Sequence, residues 1–138
     1  TCKPVGMIRS SLILLSILTA CLKDETVSGQ TTGADVWWLE SMNETPISSD
    51  ISISFPDEGR ISGQAPCNRY FGKQTAPLPW FKISGLGSTK MACSELDLER
   101  QYFMLLQKMT TAEVSGDTLI LKSDAGVALV FVEKTRGN

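Results

Sequence analysis

The sequence predicts a β-rich α+β domain: a strongly curved, half-barrel-like antiparallel sheet of about six to eight strands, packed with one α-helix near residues 94–110. Three observations predict it. Short apolar or alternating segments recur from Val36 to the end of the chain. The links between them are too short for the crossovers that parallel pairing needs. One segment alone, after Ser94, carries an apolar stripe at helical spacing. No repeat of solenoid or propeller period is present.

Val36-Trp37-Trp38-Leu39 is aromatic and β-favouring and reads as the first strand. Ile51-Ser52-Ile53-Ser54-Phe55 alternates with period two, which buries one face. Pro56–Gly59 supplies a turn, and Arg60–Gly63 returns as the next strand. Asn68–Lys73 follows as a strand, Pro77 and Pro79 interrupt, and Trp80–Ile83 resumes extended structure. Ser94 and Asp97 suggest a capping box. Leu98, Tyr102, Leu105, Leu106 and Met109 then form one stripe of a helix. Glu113–Ser115, a Gly116-Asp117 turn and Thr118–Lys122 make a hairpin. After the Ser123–Gly126 turn, Val127–Glu133 is apolar on both faces and belongs in the centre of a sheet.

The chain has 138 residues, 42% hydrophobic and 20% charged, with four cysteines and no histidine. This length suits one folded domain. Without histidine there is no Ser-His-Asp triad, no Cys-His dyad and no His-ligated zinc. A formal charge of −2 argues against a nucleic-acid partner, since such proteins carry a strongly basic face.

The N-terminal third reads as targeting sequence. Residues 12–20 form an apolar run after Arg9, too short for a membrane-spanning helix. It ends in Leu18-Thr19-Ala20-Cys21, which resembles the lipobox of bacterial lipoproteins, where the cysteine becomes acylated and N-terminal. Residues 1–20 are therefore expected to be a signal peptide with upstream residues, beginning at Met7, and Cys21 the lipidation site. Processing would leave 11 basic and 15 acidic residues. Residues 21–35 are polar and turn-rich, the composition of a lipid-anchored flexible tether, and 36–138 form the domain. Leu22 after the cysteine points, by resemblance to lipoprotein sorting, to the outer membrane facing the periplasm, or to secretion if the chain is not lipidated.

Several motifs share one family. Gly59-Arg60-Ile61-Ser62-Gly63, Cys67-Asn68-Arg69-Tyr70-Phe71-Gly72, Ser88-Thr89-Lys90-Met91-Ala92-Cys93, Glu99 with Phe103-Met104 and Leu106, and Gly116–Leu121 occur in this order. They resemble the signatures of the META domain, or HslJ-like, family over residues 36–133. Pro66 stands where that pattern favours Gly, and Lys90 where Arg is usual; Lys keeps the charge without the planar fork. The resemblance implies a bacterial envelope or secreted protein linked to heat shock or drug tolerance, with no enzymatic activity and no cofactor.

Cys67 and Cys93 are the cysteines inside the domain. In an exported chain they are expected to pair, closing a loop worth roughly 3–4 kcal/mol. The alternatives are two unpaired thiols, or a metal or nucleophile site that lacks histidine partners. No metal is expected. Asn68, Arg69, Lys90 and Glu99 gather around this pair, as a structural cluster pinning helix to sheet or as a recognition site. Glu99 lies at the edge of the apolar stripe, so it is expected to be partly buried with a basic partner. Trp37, Trp38, Trp80, Tyr70 and Phe71 either pack the core or line an apolar groove. The expected function is a non-catalytic envelope lipoprotein acting through protein contacts. The alternative is a module that holds an acyl chain or small apolar molecule between sheet and helix.

Overall fold

The computed structural model describes residues 23–31 and 35–134. Cys21 and the apolar run 12–20 lie outside the described residues. Nine strands and one helix follow in chain order: β1 Trp37–Met42, β2 Thr45–Pro46, β3 Ser52–Ile53, β4 Arg60–Gln64, β5 Arg69–Gln74, β6 Ile83–Ser88, α1 Leu96–Leu106, β7 Met109–Ser115, β8 Thr118–Ser123 and β9 Ala128–Glu133.

The β-rich α+β class holds, and every strand pairing is antiparallel. The single, strongly curved half-barrel does not. Six strands form one sheet in the order β2-β1-β9-β8-β7, with β3 also on β1, and β4-β5-β6 form a second sheet. Neither is strongly curled. The reason lies at residues 54–59. β3 is two residues long, and beyond it only a Ser54–Ser62 bridge reaches β4. Pro56, which has no N–H to donate, then ends the pairing before the turn.

The larger sheet follows its sequence pattern. Ile51, Ile53 and Phe55 are buried together, as the alternation requires. β9 lies between β1 and β8, which explains why it is apolar on both faces up to Glu133. Asn43 and Glu44 both adopt positive φ (48° and 65°), the geometry of a two-residue hairpin between β1 and β2. The free edge of β7 is covered by residues 79–81: Phe81 N–H donates to the Thr110 carbonyl at 2.8 Å, and Ala112 N–H to the Pro79 carbonyl at 2.9 Å.

Helix α1 is shorter than its stripe suggested. It begins after Glu95, with no side-chain cap from Ser94 or any other residue. Tyr102 and Leu106 are buried, whereas Met109 already opens β7. The β-branched Thr110 and Thr111 favour extended backbone there.

Residues 23–31 fall in the stretch read as a tether, yet they pack on the domain. Val27, in a 3₁₀ turn over Val27–Gln30, is fully buried, and Leu78 N–H donates to the Glu25 carbonyl at 2.8 Å. Burial disfavours the Asp24 carboxylate, but hydrogen bonds from Ser28 and from the Thr26 side chain and backbone outweigh it and lower its pKa.

Candidate functional site

The site grows from the place where β5, the loop after β6 and α1 meet. Cys67 and Cys93 form a disulfide with Cα atoms 5.5 Å apart, tying the entry of β5 to the entry of α1. That closure carries Glu99, on the first turn of α1, to the backbone that precedes β5. The Glu99 side chain is 3% exposed. Its Oε2 accepts the N–H groups of Cys67 at 2.8 Å and Asn68 at 2.9 Å, and its Oε1 accepts Asn68 Nδ2 at 2.6 Å. The expected basic partner is therefore replaced by neutral N–H donors, and no cation need be buried beside the carboxylate.

Asn68 is itself saturated. Nδ2 also donates to the Met91 carbonyl at 2.8 Å, while Oδ1 accepts Thr89 Oγ1 at 2.8 Å and Met91 N–H at 2.7 Å. An amide side chain offers two donors and two acceptor lone pairs, and all four are used. Of the four predicted cluster residues, the fold thus joins Asn68 and Glu99. Arg69 contributes backbone, donating its N–H to Thr89 Oγ1 at 3.2 Å, and Lys90 stands exposed on the rim. A solvent-open groove of about 320 Å³ lies alongside, bordered by Lys90, Met91, Arg100 and Phe103 as well as Asn68 and Glu99.

A second network fixes the small sheet to the helix. Tyr70, from β5, donates its phenol to the Ser52 carbonyl at 2.7 Å. Its hydroxyl lies 2.7 Å from that of Tyr102 on α1. Tyr70 has one proton and spends it on Ser52, so Tyr102 is the donor in the tyrosine pair. Burial is the chief cause that holds both phenols protonated well above the ordinary tyrosine range; the neighbouring Tyr102 adds to it at Tyr70. The Tyr70, Tyr102 and Phe103 rings pack 5.4–5.8 Å apart and fill the space between sheet and helix. Gly63 makes this possible: a Cβ there would stand 2.1 Å from the Ser52 carbonyl oxygen and 2.6 Å from the Tyr70 ring.

Residues 30–136 match the META domain. The chain belongs to the META domain family. Three solved structures resemble it. One protein studied by NMR is 25% identical, with a TM-score of 0.58 over 71% of this chain and 87% of that one. A second, from Burkholderia xenovorans and also studied by NMR, is 24% identical, with a TM-score of 0.59 over 83% and 86% of the two chains. A crystal structure of a DUF4847 family protein from Bacteroides vulgatus is 12% identical, with a TM-score of 0.60 over 78% and 98%. No curated protein matches the chain.

Within this META domain, the signature residues sit at the junction of sheet and helix. Cys67–Gly72 enters and runs along β5, Ser88–Cys93 links β6 to α1, and Glu99 is the helix residue that receives both. The five aromatic residues do not share one groove. Trp37 is buried on β1 with its Nε1 unpartnered among the described residues, and Trp38 is half-buried on the opposite face. Tyr70 points into the core, whereas Phe71 and Trp80 are each 59% exposed. Sequence reasoning missed Thr89, which bridges Arg69 and Asn68, and Tyr102, which it placed only as a stripe residue. The Ser-Thr-Lys-Met-Ala-Cys motif held the signal for Thr89. Among the described residues, no group of three or more Cys, Asp or Glu is placed to hold a metal ion.

Proposed function

We propose that this META-domain protein is a non-catalytic lipoprotein of the bacterial cell envelope, anchored through Cys21, that supports stress or drug tolerance by contacts with another envelope protein. The observation that carries this reading is the engagement of Glu99 and Asn68. The signature carboxylate accepts three N–H groups and the signature amide uses all four of its positions, so the cluster spends its polar atoms on bracing. A general acid or base needs an atom within reach of a substrate proton. The Cys67–Cys93 disulfide supports export, because such bonds persist in oxidising compartments. The Leu18-Thr19-Ala20-Cys21 motif supports the lipid anchor. The packed Tyr70, Tyr102 and Phe103 rings favour bracing over an apolar ligand held between sheet and helix.

The test is metabolic labelling with a palmitate analogue, followed by membrane fractionation. The wild-type chain takes the label and partitions with the outer membrane, and Cys21→Ala does neither. Equal labelling of the two, or wild-type protein found in the cytosol, overturns the proposal.

A further inference from the structure

Charge is unevenly placed in this chain. From Gly59 to Ser94 there are five basic residues (Arg60, Arg69, Lys73, Lys82 and Lys90) and no acidic one, while the rest of the chain carries eight basic and 15 acidic residues. The small sheet gathers three of these cations on one face. Arg69, Phe71 and Lys73 alternate along β5 and are all exposed, whereas Tyr70 and Gln74 on the opposite face are buried. Across the ladder, Arg60 stands opposite Lys73, Ser62 opposite Phe71, and Gln64 opposite Arg69. On the other side Gly87 stands opposite Phe71, and a Cβ at Gly87 would lie 2.8 Å from the Phe71 ring. The ring thus rests over a glycine in the middle of the face.

This arrangement costs stability. Like charges directly opposite one another repel, as Arg60 and Lys73 do. None of the three face cations forms an ion pair among the described residues, where the pair found is Arg100–Asp97. An exposed phenylalanine flanked by unpaired cations has no role in the core. Two grooves open on either side of it. One, of about 410 Å³, is bordered by Arg60, Lys73 and Phe71, with Asp57 at its rim. The other, of about 450 Å³, is bordered by Arg69, Phe71, Ser54, Ser62 and Gln64. Arg69 and Lys73 are about 13 Å apart along the strand, with the ring midway.

We propose that the outer face of β4-β5-β6 binds an acidic oligosaccharide. The ring offers a platform for the apolar C–H face of a sugar. Arg60, Arg69 and Lys73 match carboxylate groups spaced along the chain, with the guanidinium groups suited to bidentate pairing. Ser54, Ser62 and Gln64 supply hydrogen bonds to sugar hydroxyls. A membrane surface uses no groove of this kind. Single-stranded nucleic acid is held on successive stacked aromatics, and this face has one. The preference for a glycan rests on the envelope reading of the preceding section.

The test is calorimetric titration of the protein, purified in the form the cells produce, with hexagalacturonate. Neutral maltohexaose, oligodeoxythymidylate and phosphatidylglycerol vesicles are titrated in parallel. Hexagalacturonate binds, and its affinity falls as salt is raised. Phe71→Ala, Arg69→Gln and Lys73→Gln each weaken binding roughly tenfold, Phe71→Tyr retains it, and Lys108→Gln, exposed in the turn after α1, leaves it unchanged. All four positions are exposed, and thermal midpoints within a few degrees of wild type verify that the variants fold. The proposal is overturned by no binding of hexagalacturonate, by equal binding of maltohexaose, by oligonucleotide or vesicles binding in its place, or by face variants that match the wild type. Such a result leaves the lipoprotein reading intact. Failure of palmitate labelling leaves sugar binding measured in vitro untouched.

Discussion

The Glu99 carboxylate takes the backbone N–H and the side-chain amide of Asn68 at once, with the Cys67 N–H as a third donor. One helix residue thereby satisfies the polar groups at the entry of β5. Glu99→Ala leaves three donors without an acceptor and is expected to cost about 3 kcal/mol or more. Glu99→Gln keeps one oxygen for the two backbone N–H groups but turns an NH₂ toward Asn68 Nδ2, and should cost about half as much. Urea denaturation midpoints give both values, and equal stability of the two variants would count against this network.

The tyrosine pair is directional, so its two deletions should differ. Tyr70→Phe removes the acceptor of Tyr102 and leaves a buried O–H and the Ser52 carbonyl unpaired, at about 2–3 kcal/mol. Tyr102→Phe leaves the Tyr70 donor satisfied and should cost about 1 kcal/mol. Thermal unfolding of the two variants and of the double variant tests the order.

The same pair predicts alkaline sensitivity. Both phenols titrate above their unfolded value in the folded protein. The native state therefore keeps protons that the unfolded chain releases. The associated stability is fully present below pH 10 and is lost as pH rises toward the folded values, at about 1.4 kcal/mol per pH unit for each tyrosine. Denaturation followed from pH 8 upward should be flat in this contribution until about pH 10 and show the slope above it, and the double phenylalanine variant should lack it.

The disulfide spans a sequence separation of 26. Replacing both cysteines with alanine is expected to cost roughly 3–4 kcal/mol, mostly by freeing the unfolded chain. Because Glu99 depends on the same junction, hydrogen exchange at the Cys67 and Asn68 amide positions should rise more than the global loss explains.

Gly63 and Gly126 should respond differently to alanine. At Gly63 the new methyl meets the Ser52 carbonyl and the Tyr70 ring, at about 3 kcal/mol. At Gly126, with φ 81° and open space around it, the cost is the left-handed backbone alone, about 1 kcal/mol. Circular dichroism melts of the two variants separate these mechanisms.

Much of this was legible in the residues. Ile51, Ile53 and Phe55 announced a buried strand face by period two, and the stripe through Tyr102 and Leu106 announced the helix. Cys67 and Cys93 announced their bond once export was inferred. Two elements were not legible. The break between the sheets depends on which strands run out of partners near Pro56, a matter of three-dimensional pairing. The separation of Tyr70 from Phe71 follows from strand alternation, but which of the two faces the core depends on which side the helix packs.

By itself the sequence determined the β-rich class, the helix after Ser94 and the family, because each rests on local periodicity or on short contiguous motifs. Tertiary structure alone decided that Glu99 is held by amide N–H groups and not by a cation, that the strands divide into two sheets, and that Arg60, Arg69 and Lys73 surround one exposed ring. These depend on residues 26 or more positions apart, or on adjacent strands meeting in register, and no local pattern encodes which backbone atom a carboxylate will reach once the chain has closed on itself.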